Sequence, residues 1–155
     1  GLEAARRAVR VTGSPSVAAA PLVIEVQAPS NIAVGPVPWG LSPWAPDAIP
    51  IDAETADAAG LLARAKGRPL VVVVRDAHRY PGHQALVSTL LSARPDAVLL
   101  EMGLPVWRPE GTAKPAAYIA TYGATRANAR AAAEIIGLID DETEADGAIT
   151  SSEAG

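Results

Sequence analysis

The sequence contains no cysteine and no phenylalanine. Without thiols, disulfides, thiolate metal sites and cysteine nucleophiles are all excluded. A cysteine-free chain is compatible with the cytoplasm, and a cytoplasmic location is the expectation. Lysine is scarce as well, confined to Lys66 and Lys114. With a formal net charge of −4, no basic surface recommends nucleic acid or an anionic membrane as a partner. No apolar run approaches the ~20 residues that span a bilayer; the longest, residues 70–74, stops at Arg75 and Asp76. The opening Gly1-Leu2-Glu3-Ala4-Ala5-Arg6-Arg7 is a polar helical start without the apolar stretch of a signal peptide.

Several motifs are missing too. There is no GxGxxG and no GxxxxGK[ST], so neither dinucleotides nor a nucleoside triphosphate find their usual glycine-rich cradle. There is no GxSxG elbow. The histidines are His78 and His83 alone, separated by Pro81 and Gly82, a poor spacing for a metal pair. A phosphoacceptor domain would want an acidic pair after its first strand to hold magnesium, and Val26-Gln27-Ala28-Pro29-Ser30 offers none. No cofactor and no metal are expected.

What remains is a chain of 155 residues, 49% hydrophobic and 19% charged, with the length and composition of one globular domain. It begins without methionine and ends in Asp140-Asp141-Glu142-Thr143-Glu144 followed by small and polar residues. The expectation is an excised domain over residues 1–139 with a solvated tail over 140–155. Apolar runs predict strands at residues 22–26, 48–51, 70–75, 97–101 and 118–122, with a weaker one at 8–11. Val71 to Val74 are four β-branched residues in succession, which suit a strand covered on both faces. Helical spacing alternates with these runs. Ala58, Leu61, Leu62 and Ala65 share one face of a helix over 55–66, with Gly67 as its stop. Leu86/Leu90 and Val87/Leu91 mark a second helix over 83–93. Ala129, Ala132, Ala133 and Ile136 mark a third over 126–138, with Thr125 as N-cap. Strands alternating with helices predict an α/β three-layer sandwich, flavodoxin-like, with a mainly parallel sheet of five to six strands. Ligands of such folds collect at the carboxyl ends of the strands, which is where chemistry should be sought.

Two strand ends carry candidates. After the central strand comes Asp76-Ala77-His78-Arg79-Tyr80, where a carboxylate and an imidazole could act as acid and base. Equally, Asp76 can bond loop amides while His78 packs at the rim. The next strand ends in Glu101-Met102-Gly103-Leu104-Pro105, and an adjacent strand brings Glu101 near Asp76. Paired carboxylates can divide acid and base roles, or be held by Arg75, Arg79 or Arg108 as ion pairs. Trp39, Trp44 and Trp107 lie in Pro/Gly-rich loops, where indoles stack on sugars, anchor interfaces or cap the sheet. Trp107-Arg108-Pro109, inside the long loop 103–115, has the character of an interface or ligand element.

Taken together, four segments resemble one family. They are Asn31-Ile32-Ala33-Val34-Gly35-Pro36-Val37-Pro38-Trp39-Gly40-Leu41, Val74-Arg75-Asp76-Ala77-His78-Arg79, Glu101-Met102-Gly103-Leu104-Pro105, and Tyr118-Ile119-Ala120-Thr121-Tyr122-Gly123-Ala124-Thr125-Arg126-Ala127-Asn128. In this order they are similar to the C-terminal domain of family 3 glycoside hydrolases of the bacterial β-N-acetylglucosaminidase type, especially actinobacterial ones. The resemblance covers roughly residues 3–138. It implies a larger enzyme whose N-terminal (β/α)₈ barrel, on the same parent chain, removes terminal β-linked N-acetylhexosamine with retention. The barrel supplies the nucleophile and a His/Asp acid/base pair, and neither motif occurs here. The implied role is an accessory domain without catalytic residues, whose Asp76, His78, Arg79, Glu101, Trp107 and Arg108 face the barrel or its carbohydrate substrate. A carbohydrate-binding or protein-interaction module is the alternative.

Overall fold

The computed structural model describes residues 1–28 and 40–139. At its centre is β4 (Leu70–Val74), every residue of which is buried. Consecutive valines extend readily because branching at Cβ restricts their rotamers in a helix, and both faces of the strand find cover. Around it lie β1 (Arg10–Gly13), β2 (Leu22–Gln27), β3 (Ile49–Asp52), β5 (Val98–Glu101) and β6 (Ala117–Ala120). They form one sheet in the order β1-β6-β5-β4-β2-β3. All neighbours are parallel except β1, which runs antiparallel along β6. The chain steps outward from β2 to β3 and then returns to the other side of β2 at β4. The switch in strand order therefore lies between β2 and β4.

Helices cover both faces, giving the three layers expected. Val72 and Val74 join Leu99 and Tyr118 beneath α2 (Ala58–Arg64) and α3 (Pro81–Ala93). Val71 and Val73 join Leu100 and Ile119 beneath α4 (Arg126–Ile136). Outside α4 lies α1 (Leu2–Ala8), tied to it by a fork of hydrogen bonds from Arg6 to Glu134 at 2.9 and 3.1 Å. Among the described residues no helix is long and apolar enough to cross a membrane.

The boundaries differ from expectation where a single residue redirects the backbone. The strand expected over 70–75 stops at Val74, because Arg75 is exposed and Asp76 adopts a left-handed conformation at φ 57°. The one expected over 118–122 stops at Ala120, shortly before Tyr122 turns left-handed at φ 60°. The helix expected from residue 55 begins at Ala58, since the Asp57 carboxylate caps it by accepting the Gly60 N–H at 3.1 Å. The second helix starts earlier, at Pro81, whose fixed φ suits the first helical position. Thr125 does cap α4, in a reciprocal box with Asn128. That helix ends at Ile136, because Gly137 turns left-handed at φ 96° and Leu138 donates back to the Ala133 carbonyl. The weak strand expected over 8–11 runs over 10–13 instead, the residues before it belonging to α1.

Candidate functional site

The carboxyl ends of β4 and β5 meet around one carboxylate. Glu101 pairs with Val74 across the two strands, and its side chain is 1% exposed. Its Oε2 accepts the N–H of Asp76 at 2.8 Å and of Gly103 at 2.8 Å, while Oε1 accepts that of Ala77 at 3.1 Å. Burial pushes the Glu101 carboxyl above its usual range, against the pull of these three donors, and the nearby Asp76 carboxylate adds a smaller push upward. Asp76 in turn accepts the Leu104 N–H at 2.8 Å through Oδ1. Two loops are thus stitched together crosswise, each carboxylate holding backbone of the other's loop. Gly103 permits the close approach: a Cβ there would collide with the Asp76 carboxylate and lie 2.8 Å from its backbone nitrogen. The geometry is that of a cradle rather than of an acid and base open to substrate.

Among the described residues neither Asp76 nor Glu101 takes part in a salt bridge. Two of the three arginines suggested as their partners go elsewhere, and Arg75 is exposed. Arg79 lies over the Tyr80 ring at 5.6 Å, and Arg108 over the Tyr118 ring at 4.2 Å. Tyr118 is buried, and its hydroxyl lies beside the Arg108 guanidinium. Burial, reinforced by the charge of Glu101, pushes the Tyr118 phenol up to about 12, with Arg108 pulling weakly the other way.

His78 is half-buried in the turn after β4, with Nδ1 enclosed and unpartnered. His83 is fully buried in the first turn of α3, stacked on Tyr80 with ring centroids 4.5 Å apart. Burial holds the His83 imidazole below its usual range, although Glu54 and Asp52 attract a proton to it. The fold favours the neutral ring more than an unfolded chain does, which takes up a proton near pH ~6.5. Stability that is complete above that pH is therefore lost as the pH falls through it toward the lower folded value. Glu25 and Glu101 act in the opposite sense, because their raised carboxyls bind protons more tightly in the fold. The contribution of His83 is read from a difference: the stability of the wild type relative to His83→Gln is expected to shrink on acidification from pH ~7.5 to ~5.5. Urea denaturation across that range measures it.

The sequence reading missed Glu25. It lies inside an otherwise apolar strand at 4% exposure, and its Oε2 accepts the Leu41 N–H at 3.0 Å. Burial raises its carboxyl above the usual range. Gly40, at φ 96°, comes so close that a Cβ would collide with Oε2. A lone carboxylate in a strand expected to be buried was the available signal. Glu25 belongs with Val23 to the α4 side of the sheet, whereas Glu101 lies with Leu99 on the α3 side.

Of the tryptophans, Trp39 and most of segment 31–41 lie outside the described residues. Trp44 packs against the core on the α4 side and carries Arg126 over its ring at 5.4 Å. Trp107 packs against the core on the α3 side. Neither indole is fully exposed. Among the described residues the exposed large apolar side chains are Val11 at 40% on β1, and Leu104 at 56%, Val106 at 69% and Tyr122 at 52%, the last three following the carboxyl ends of β5 and β6.

No protein-family model matches the chain, and no curated protein matches it either. Among solved structures, it is similar to a glycoside hydrolase family 3 β-N-acetylglucosaminidase from Paenibacillus sp. str. FPU-7. The TM-score is 0.62 at 19% sequence identity, covering 90% of this chain and 30% of that one. At such identity the likeness is one of fold.

Proposed function

We propose that this chain is the accessory α/β domain of a family 3 glycoside hydrolase of the β-N-acetylhexosaminidase type, with no chemistry of its own. The observation that carries the reading is the cradle at Glu101. The best-placed carboxylate for acid/base work is 1% exposed and committed to three backbone amides. Asp76, the other candidate, is engaged by Leu104. A strand edge so equipped fixes loops in place and leaves hydrolysis to another domain.

Further support comes from the likeness of fold and its extent. The chain corresponds to 30% of the Paenibacillus protein, as a separate domain of a larger enzyme would. On this reading its partner is a (β/α)₈ barrel on the same parent chain, which removes terminal β-linked N-acetylhexosamine from carbohydrate with retention. The carboxyl edge borders the barrel's mouth through Asp76, His78, Arg79 and Trp107, Glu101 contributes by shaping the loops rather than by contact, and Arg108 lies instead beside the start of β6. The actinobacterial character of the parent rests on the loop sequences.

Extending the coding sequence upstream of Gly1 tests the reading. A barrel with the family's nucleophile is expected there, and an unrelated domain would overturn it.

A further inference from the structure

A cleft of about 520 Å³ lies beside the start of β6, between the end of β1 and residues 108–110. That volume falls within the range of small-molecule sites. Its walls are stiff. Pro109 and Pro115 each fix a backbone torsion along the rim. Gly13 is pressed so closely on Ala116 that a Cβ would collide with the carbonyl oxygen.

The charges in the cleft run against those of the whole chain. Arg108 and Lys114 set two cations against the single carboxylate of Glu110, in a protein of formal net charge −4. Among the described residues none of the three takes part in a salt bridge. The Arg108 guanidinium rests 4.2 Å above the Tyr118 ring, which limits its freedom and presents its N–H fork in a set direction. Tyr118 also lines the cleft, its hydroxyl buried beside the Arg108 guanidinium.

We propose that this cleft binds a small polar molecule through a carboxylate or phosphate group, held by Arg108 and Lys114, with the Thr12 hydroxyl as a further donor. A planar fork and an ammonium lining one opening suit such an anion. The inference does not depend on the parent enzyme's activity.

NMR titration of the 155-residue protein with inorganic phosphate, D-glucuronate and D-glucose tests it. Phosphate, glucuronate or both should give saturable shifts centred on the amides of Thr12, Gly13, Lys114 and Ala116, and the pattern tells which anion the cleft prefers. Glucose, the neutral control, should give none. Arg108→Ala should weaken binding about tenfold, equivalent to ~1.4 kcal/mol, and Arg108→Lys should restore part of it. Glu110→Gln should tighten binding, because it removes the opposing charge. If Arg108→Ala unfolds the protein, the exposed Lys114 carries the test as Lys114→Gln, with a loss expected. Shifts that never saturate, equal binding of glucose, or Glu110→Gln and Lys114→Gln both without effect would overturn the assignment.

Discussion

Replacing Glu101 with alanine should destabilise the fold by about 3–5 kcal/mol, because it strips the buried partner from three backbone amides at once. Each of these N–H groups belongs to a loop end that has no other acceptor within a ladder or helix. Water cannot easily replace the carboxylate, since Glu101 is 1% exposed and its neighbours Val74, Leu99 and Ala120 are apolar. A cavity cost comes on top of the unsatisfied donors. Glu101→Gln keeps the volume but turns an NH₂ toward an N–H, so a loss of about 1–3 kcal/mol remains. Both effects should appear as lower urea midpoints with an unchanged slope. The glutamine variant separates two roles. An acid/base group would lose activity with its stability nearly intact, whereas a cradle loses stability first.

The second large effect is expected at Gly13, on the opposite margin of the sheet. Its φ of 81° is strained for any residue with a side chain, and a Cβ would also collide with the Ala116 carbonyl and lie 2.9 Å from Ala117 Cα. Both obstacles are backbone, so neither can swing aside. Gly13→Ala should cost about 2–4 kcal/mol and loosen the pairing of β1 with β6. Gly67 supplies the control. At φ 77° it has similar strain, but a Cβ there would meet nothing within 4 Å. Gly67→Ala should cost only ~1–2 kcal/mol, and the difference between the two variants isolates the collision. Hydrogen exchange at the β1–β6 amides should accelerate in the Gly13 variant alone.

The interior of the sheet was legible because its residues depend on local chemistry. Four valines in a row specify a covered strand whatever surrounds them, and Thr125 with Asn128 specifies a helix start. The alternation of strand and helix then leaves few topologies open. Strand ends were less legible, since Asp76 and Tyr122 leave the extended region only when the loops around them close. The antiparallel course of β1 was also hidden. Nothing in Arg10 to Gly13 states a direction, which comes from where α1 docks on α4.

The candidate site was readable as a neighbourhood but not as a set of roles. Adjacent strands placed Glu101 beside Asp76, as their order requires. That both carboxylates bind backbone amides instead of arginines depends on loop geometry at Gly103. Arg108 stacks on Tyr118 because a buried ring offers the guanidinium a better seat than a carboxylate already filled by three donors.

The central claim is that this chain lends structure to an enzyme and performs no hydrolysis alone. Release of nitrophenol from a chromogenic N-acetyl-β-glucosaminide by the purified wild-type chain tests it most directly, with Glu101→Gln assayed alongside under conditions where both are folded. No release above the buffer rate is expected from either protein. Sustained turnover by the wild type that disappears in folded Glu101→Gln would contradict the account and make Glu101 a catalytic residue.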